Sequence, residues 1–127
     1  MANLLVIDDE NDITEVIQIY LEDTDHQITC LNSASDGLKW SKDNQVDLLI
    51  TDILMPSGMN GLELIADIKE YCPDVKILAI SGGGASGGVV KAMALESAME
   101  LGAERALSKP FTKEELLRRV DKLLKGT

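Results

Sequence analysis

The chain has 127 residues, enough for one domain with one apolar core, and its 45% hydrophobic content excludes an intrinsically disordered protein. Acids outnumber bases 22 to 12, a formal charge of −10, which excludes a broad nucleic-acid or anionic-membrane surface because those need a basic face. There is no apolar run of membrane-spanning length and no signal-peptide pattern at the N-terminus, so the expected location is the cytoplasm.

Residues 4–7, LLVI, are a compact apolar run that reads as a buried strand, and Asp8, Asp9 and Glu10 follow it in a row. Over residues 11–22, Ile13, Val16, Ile17, Tyr20 and Leu21 fall on one helical face. In QITCL, 27–31, Ile28 and Cys30 alternate with Gln27 and Thr29, which suits an edge strand with one covered face. Ser33 and Asp36 have the spacing of a capping box for a helix running through Trp40, weakened at Gly37. VDLLITD, 46–52, is the second strong apolar strand, and MPSGMNG after it reads as a loop. Leu62, Ile65 and Ile68 mark a helix that must stop before Pro73.

VKILAIS, 75–81, is the third strong strand, and a glycine-rich loop, SGGGASGG, begins at its last residue. Ser86 is placed to cap a helix that ends at Gly102. A short strand is expected near 106–108, and Leu116, Leu117, Val120, Leu123 and Leu124 stripe the last helix. Five strands alternate with five helices in one domain over 1–127, without repeat or linker. That is an α/β chain whose apolar strands are covered on both faces by helices. Cys30 and Cys72 are too few for a disulfide framework or a zinc site and read as two buried free thiols. His26 reads as a surface histidine and Trp40 as a packing residue.

In an open parallel sheet, sites form outside the carboxyl ends of the strands where the strand order reverses. Those ends carry Asp8, Asp9 and Glu10, then Asp52, then Ser81, then Lys109. Each has an ordinary explanation alone. Acids suit a helix N-terminus, an Asp can cap a loop, a serine can sit in a turn, and a lysine before proline can be solvated. Their convergence on one rim from four separate segments is what points to a site.

The segments IDDE, TDILMPSGMNGLEL, AISG and SKPF, in that order and each at a strand end, resemble the signature of a response-regulator receiver domain over essentially the whole chain. The resemblance implies a flavodoxin-like, doubly wound (βα)5 fold with a five-stranded parallel sheet in the order 2-1-3-4-5. It implies a single-domain, chemotaxis-receiver-like regulator of a two-component or phosphorelay system. In it, Asp52 takes a phosphoryl group from a phosphohistidine on a sensor histidine kinase or histidine phosphotransferase. Following the family, Asp9 ligates Mg2+ directly and Asp8 mainly through water. Asp52 and the backbone carbonyl of Leu54 complete the protein ligands. Lys109 neutralises a phosphoryl oxygen, the Ser81 hydroxyl donates to another, and Pro110 matches the family's cis-proline.

Output is expected through a downstream protein or onward phosphotransfer, using the face of the fourth helix, fifth strand and fifth helix. The first helix is expected to dock partners. No catalysis is expected beyond the chain's own phosphorylation and dephosphorylation. Neither direct nucleic-acid nor membrane contact is expected, and the state is a monomer or weak dimer.

Elementary electrostatics supports the metal. Two carboxylates ~4 Å apart repel by about 4 kcal/mol at an effective dielectric near 20. An exposed salt bridge returns only about 0–1 kcal/mol. One lysine is a poor neutraliser for three acids, and few carboxylates with room for water suit Mg2+.

Three features depart from the commonest pattern. Ala106 stands where many receivers carry an aromatic switch residue, the glycine-rich loop is long, and no attached output domain is expected. Two rivals belong to other classes. A small aspartyl-phosphate phosphohydrolase commonly carries an Asp two residues after its nucleophile, where this chain has Leu54. A flavodoxin-like cofactor binder needs a Ser/Thr/Gly loop where this chain has acids. A third possibility, a degenerate receiver acting as a scaffold, is opposed by the intact Asp52 and Lys109.

Overall fold

The computed structural model describes residues 1–55, 58–82 and 87–126. In chain order they form β1 (Asn3–Ile7), α1 (Asn11–Leu21), β2 (Gln27–Leu31), α2 (Ala34–Asp43), β3 (Leu48–Asp52), α3 (Gly61–Tyr71), β4 (Lys76–Ser81), α4 (Gly87–Leu101), β5 (Arg105–Ser108) and α5 (Lys113–Lys125). The strands make one parallel sheet in the order β2-β1-β3-β4-β5, the order the resemblance implied.

Side chains alternate across a strand, so a sheet covered on both faces needs apolar residues at successive positions. The core divides that way. Leu5, Ile7, Leu49, Ile77 and Ala79 face Leu64, Ile65 and Ile68 of α3 and Ala94 and Ala98 of α4. Leu4, Val6, Leu48, Ile50, Leu78 and Ile80 face Ile17 and Leu21 of α1 and Leu116, Val120 and Leu123 of α5. Each fully buried Leu or Ile contributes roughly 1.5–3 kcal/mol, so the two layers hold the rim rigidly from both sides.

Helix ends follow local chemistry. Thr112 and Glu115 form a reciprocal capping box opening α5, and Asn60 and Glu63 form another opening α3. Ser33 accepts from the Asp36 N–H, the forward half of the box read from its spacing. α2 runs past Trp40 to Asp43, and Ser41 is accommodated inside it by donating its hydroxyl to Leu38 O. The Ser86 cap lies outside the described residues.

Two expectations are corrected. Cys30 and Cys72 are free but only half-buried, because Cys30 lies on an edge strand and Cys72 at the exposed end of α3. Trp40 is 36% exposed, because α2 flanks the β2 edge and leaves part of the indole uncovered.

Candidate functional site

Sheet register builds the site. Ile7 pairs with Thr51, so Asp8 and Asp52 leave neighbouring strands at the same height. Ser81 and Ser108 pair at the ends of β4 and β5, and the Lys109 N–H donates to Ser81 O at 2.9 Å. Lys109 therefore starts from the same edge as the acids. The Lys109–Pro110 bond is cis.

The side chains meet at the Lys109 ammonium. Nζ stands 2.8 Å from Asp8 Oδ2, 3.4 Å from Asp52 Oδ2 and 3.7 Å from Glu10 Oε1. Asp8 Oδ1 accepts from the Glu10 N–H at 2.9 Å and Asp52 Oδ1 from the Leu54 N–H at 3.3 Å. Asp8, Asp52 and Ser81 are buried. Burial pushes the Asp8 carboxyl above its usual range, against the pull of Lys109 and the Glu10 N–H and with a push from Asp9. Burial likewise raises Asp52, with Lys109 opposing and Asp8 adding. For Lys109, burial acts downward, but Asp8, Asp52 and Glu10 together outweigh it and raise the ammonium.

Two buried polar atoms lack a directed hydrogen bond among the described residues, Asp8 Oδ2 and Ser81 Oγ. The 2.8 Å approach of Lys109 to Asp8 Oδ2 is an ion pair outside hydrogen-bond geometry, so that oxygen has a charged neighbour but no aligned donor. Buried groups left in that condition mark places where another group completes the site.

A cation fits. Carboxylate oxygens of Asp8, Asp9 and Glu10 lie within 4.8 Å of one another, an all-oxygen set of the kind hard divalent cations take. Asp9 and Glu10 are exposed, which leaves room for coordinated water. Glu10 was not among the ligands anticipated, although it is the third acid of the run. Asp52, which was anticipated, lies outside this trio and meets it through Lys109, which stands 2.8 Å from Asp8 and 3.4 Å from Asp52. Leu54 has an exposed side chain, and its backbone N–H orients Asp52.

Gly61, the last residue of MPSGMNG, is the first residue of α3 rather than part of a loop. A Cβ there would stand 2.6 Å from Ile53 Cα and collide with the carbonyl of Asp52, so glycine lets α3 begin directly against the strand end bearing Asp52. At Ala106 the backbone carbonyl accepts from Arg119 Nε at 3.4 Å. His26 is remote from the rim, its Nδ1 accepting from the Ala2 N–H at 3.0 Å. Residues 83–86 of the glycine-rich loop lie outside the described residues.

A family model described as the response regulator receiver domain matches residues 4–121. The DNA-binding transcriptional regulator NtrC of Azospirillum brasilense is 37% identical over 123 residues, covering 97% of this chain and 24% of that protein. The response regulator SaeR of Staphylococcus aureus is 28% identical over 124 residues, covering 98% of this chain and 51% of SaeR. The chain thus spans from about a quarter to about half the length of these curated relatives. Among solved structures, the receiver domain of NtrX from Brucella abortus superposes with a TM-score of 0.87 at 29% identity, covering 98% of this chain and 99% of that one. A response regulator receiver domain protein from Clostridium thermocellum gives 0.80 at 28% identity, covering 99% and 96%.

Proposed function

The chain belongs to the response regulator receiver domain family, the receiver of two-component signalling proteins, and from that premise we propose that Asp52 is its phosphoacceptor. Residues 1–127 act as one receiver unit in this reading. The observation that carries it is the convergence of Asp8 and Asp52 on the Lys109 ammonium at one sheet edge.

An Asp52 carboxylate oxygen attacks the phosphorus of a phosphohistidine. The new O–P bond forms as the P–N bond breaks, and the electron pair leaves with the imidazole nitrogen. Lys109, already held between the two carboxylates, meets the charge that accumulates on the phosphoryl oxygens. The Leu54 N–H holds Asp52 Oδ1, leaving Oδ2 on the side facing Lys109. Ser81 Oγ, buried without a partner among the described residues, supplies a donor for a phosphoryl oxygen. Asp8 and Asp9, with Glu10 beside them, would hold Mg2+, and the ion when bound supplies positive charge that offsets the acids and the incoming phosphoryl group. Ligation by Asp52 and the Leu54 carbonyl, as in the family, belongs to the same proposal.

Phosphorylation adds about −1.5 to −2 charges at the rim, which alters what the adjoining surface binds. Receiver domains act with histidine kinases and downstream effectors, and the partners proposed here are a histidine kinase or phosphotransferase upstream and a protein target downstream. With a formal charge of −10, this part of the protein makes no direct contact with nucleic acid in this reading. Its chemistry is limited to its own phosphorylation and dephosphorylation.

The test is intact mass after incubation with a small acyl phosphate, with Mg2+, with a chelator, and with Asp52→Ala. One phosphoryl increment that needs both Mg2+ and Asp52 is expected. An increment that survives Asp52→Ala would remove the assignment. No increment from the acyl phosphate or from phosphorylated histidine kinases would favour the scaffold reading.

A further inference from the structure

The opposite edge of the sheet carries a second concentration of like charge. A cavity of about 310 Å3 is lined by Lys76, Glu104, Arg105, Lys122, Leu123 and Gly126. Lys76 and Arg105 are the first residues of β4 and β5, whereas Asp52 and Ser81 are the last residues of β3 and β4. The cavity is therefore separated from the phosphoacceptor rim by the length of the strands.

Three cations line this cavity in a chain with a formal charge of −10, and among the described residues none of the three makes an ion pair. The one carboxylate among the described residues of the wall is already engaged. Glu104 Oε1 takes Lys69 Nζ at 2.6 Å and Oε2 takes the Ile77 N–H at 2.6 Å. Asp47, whose carbonyl accepts from the Lys76 N–H, directs its carboxylate to the Asn3 N–H and the Gln45 amide. Lys125, the other cation of the last turn of α5, pairs with Asp121.

A plain explanation covers one of the three. Lys122 lies in the last turn of α5, where a cation offsets the negative end of the helix dipole. It does not cover Lys76 and Arg105, which arrive from strand starts. Cations that line one cavity whose carboxylate is already engaged repel one another, as the acids do at the far rim, and a multiply charged anion relieves both that repulsion and their exposure.

We propose that this cavity binds a small, multiply charged oxyanion of the phosphate class. Arg105 offers a planar fork suited to two phosphate oxygens, and Lys76 and Lys122 add point charges. The volume exceeds what inorganic phosphate alone fills, and the Leu123 side chain gives an apolar contact for the organic part of a phosphate ester.

The probes are inorganic phosphate and pyrophosphate, titrated into 15N-labelled protein at constant ionic strength without Mg2+ and followed by amide chemical shifts. Saturable shifts are expected at Lys76, Glu104, Arg105 and Lys122 to Gly126, tighter for pyrophosphate and weaker as salt rises. They should be retained in Asp52→Asn and reduced at least tenfold in affinity in Arg105→Gln with Lys122→Gln. The single Lys76→Gln variant provides the same reading if the pair fails to fold. Shifts confined to residues 8–10, 52, 81 and 109 would overturn the proposal, as would shifts that never saturate or survive the substitutions. Phosphoryl uptake at Asp52 is measured separately by mass, so failure here leaves the receiver assignment untouched.

Discussion

Lys109 stands closer to Asp8 than to the acid proposed to carry the phosphoryl group: Nζ is 2.8 Å from Asp8 Oδ2, which is fully buried, and 3.4 Å from Asp52 Oδ2. One ammonium is thus divided between two buried carboxylates and a third, more exposed one on Glu10. Without a cation the rim is short of positive charge, and burial holds the Asp8 and Asp52 carboxyls above their usual range.

Removing one negative charge should therefore stabilise the metal-free fold. Asp52→Asn is expected to raise the melting temperature in chelator by roughly 3–5 °C, corresponding to about 1 kcal/mol for a domain of this size. The opposite change, Lys109→Met, leaves Asp8 and Asp52 without their cation and should cost roughly 3 kcal/mol at neutral pH. A melting temperature for Asp52→Asn equal to or below the wild type would contradict the electrostatic account.

The pH dependence follows with a definite sign. Folded-state values of Asp8 and Asp52 are raised from 3.8, so between 3.8 and those values the folded chain holds protons the unfolded chain has released. Their contribution to stability falls as pH rises through that window, and the penalty is full above it. Glu115 has the opposite sign. Held below 4.5 chiefly by the Thr112 N–H, it contributes above 4.5 and is lost as pH falls through its folded value. Urea melts in chelator should show the advantage of Asp52→Asn near zero below about pH 4 and growing toward neutrality. An advantage that shrinks with rising pH would be incompatible with this assignment.

Mg2+ should narrow the difference. Binding to the folded state alone adds RT ln(1 + [L]/Kd), about 2.7 kcal/mol at a hundredfold excess over Kd. Wild-type stability should climb with Mg2+ and close the gap to Asp52→Asn. Asp9 is exposed, so Asp9→Asn should change metal-free stability by less than about 0.5 kcal/mol. It should nonetheless lose most of the Mg2+ response in a thermal-shift titration. A full response in Asp9→Asn would move the ion elsewhere.

Gly61→Ala separates packing from helix propensity. Alanine in a helix is favoured over glycine by up to about 1 kcal/mol, so propensity alone predicts stabilisation. The added Cβ would meet the backbone of Asp52 and Ile53 at the end of β3, where the proposed acceptor sits. We expect destabilisation by about 3 kcal/mol in urea, the upper range for overpacking, together with slower phosphoryl uptake. A more stable variant would show that α3 can retreat from the strand end at no cost.

Much of this protein was legible in its sequence for reasons that are local. A strand buried on both faces must be apolar at successive positions, so LLVI, LLIT and ILAI announce themselves. Polar residues ending such runs can only reach the carboxyl edge, which brought Asp8, Asp52, Ser81 and Lys109 into view together. The capping boxes at Asn60 and Thr112 are equally local, but the MPSGMNG loop pattern and Pro110 mask them.

Tertiary structure alone decided the rest. Packing determined that Lys109, leaving β5, reaches past β4 and β3 to stand closer to Asp8 than to Asp52, and close approach determined that position 61 must be glycine. It also placed Arg119 on the carbonyl of Ala106 and brought Lys76, Arg105 and Lys122 around one cavity from three distant segments. The division has one cause. Periodicity and strand ends are properties of neighbours along the chain, whereas distances between charges depend on how separate segments pack.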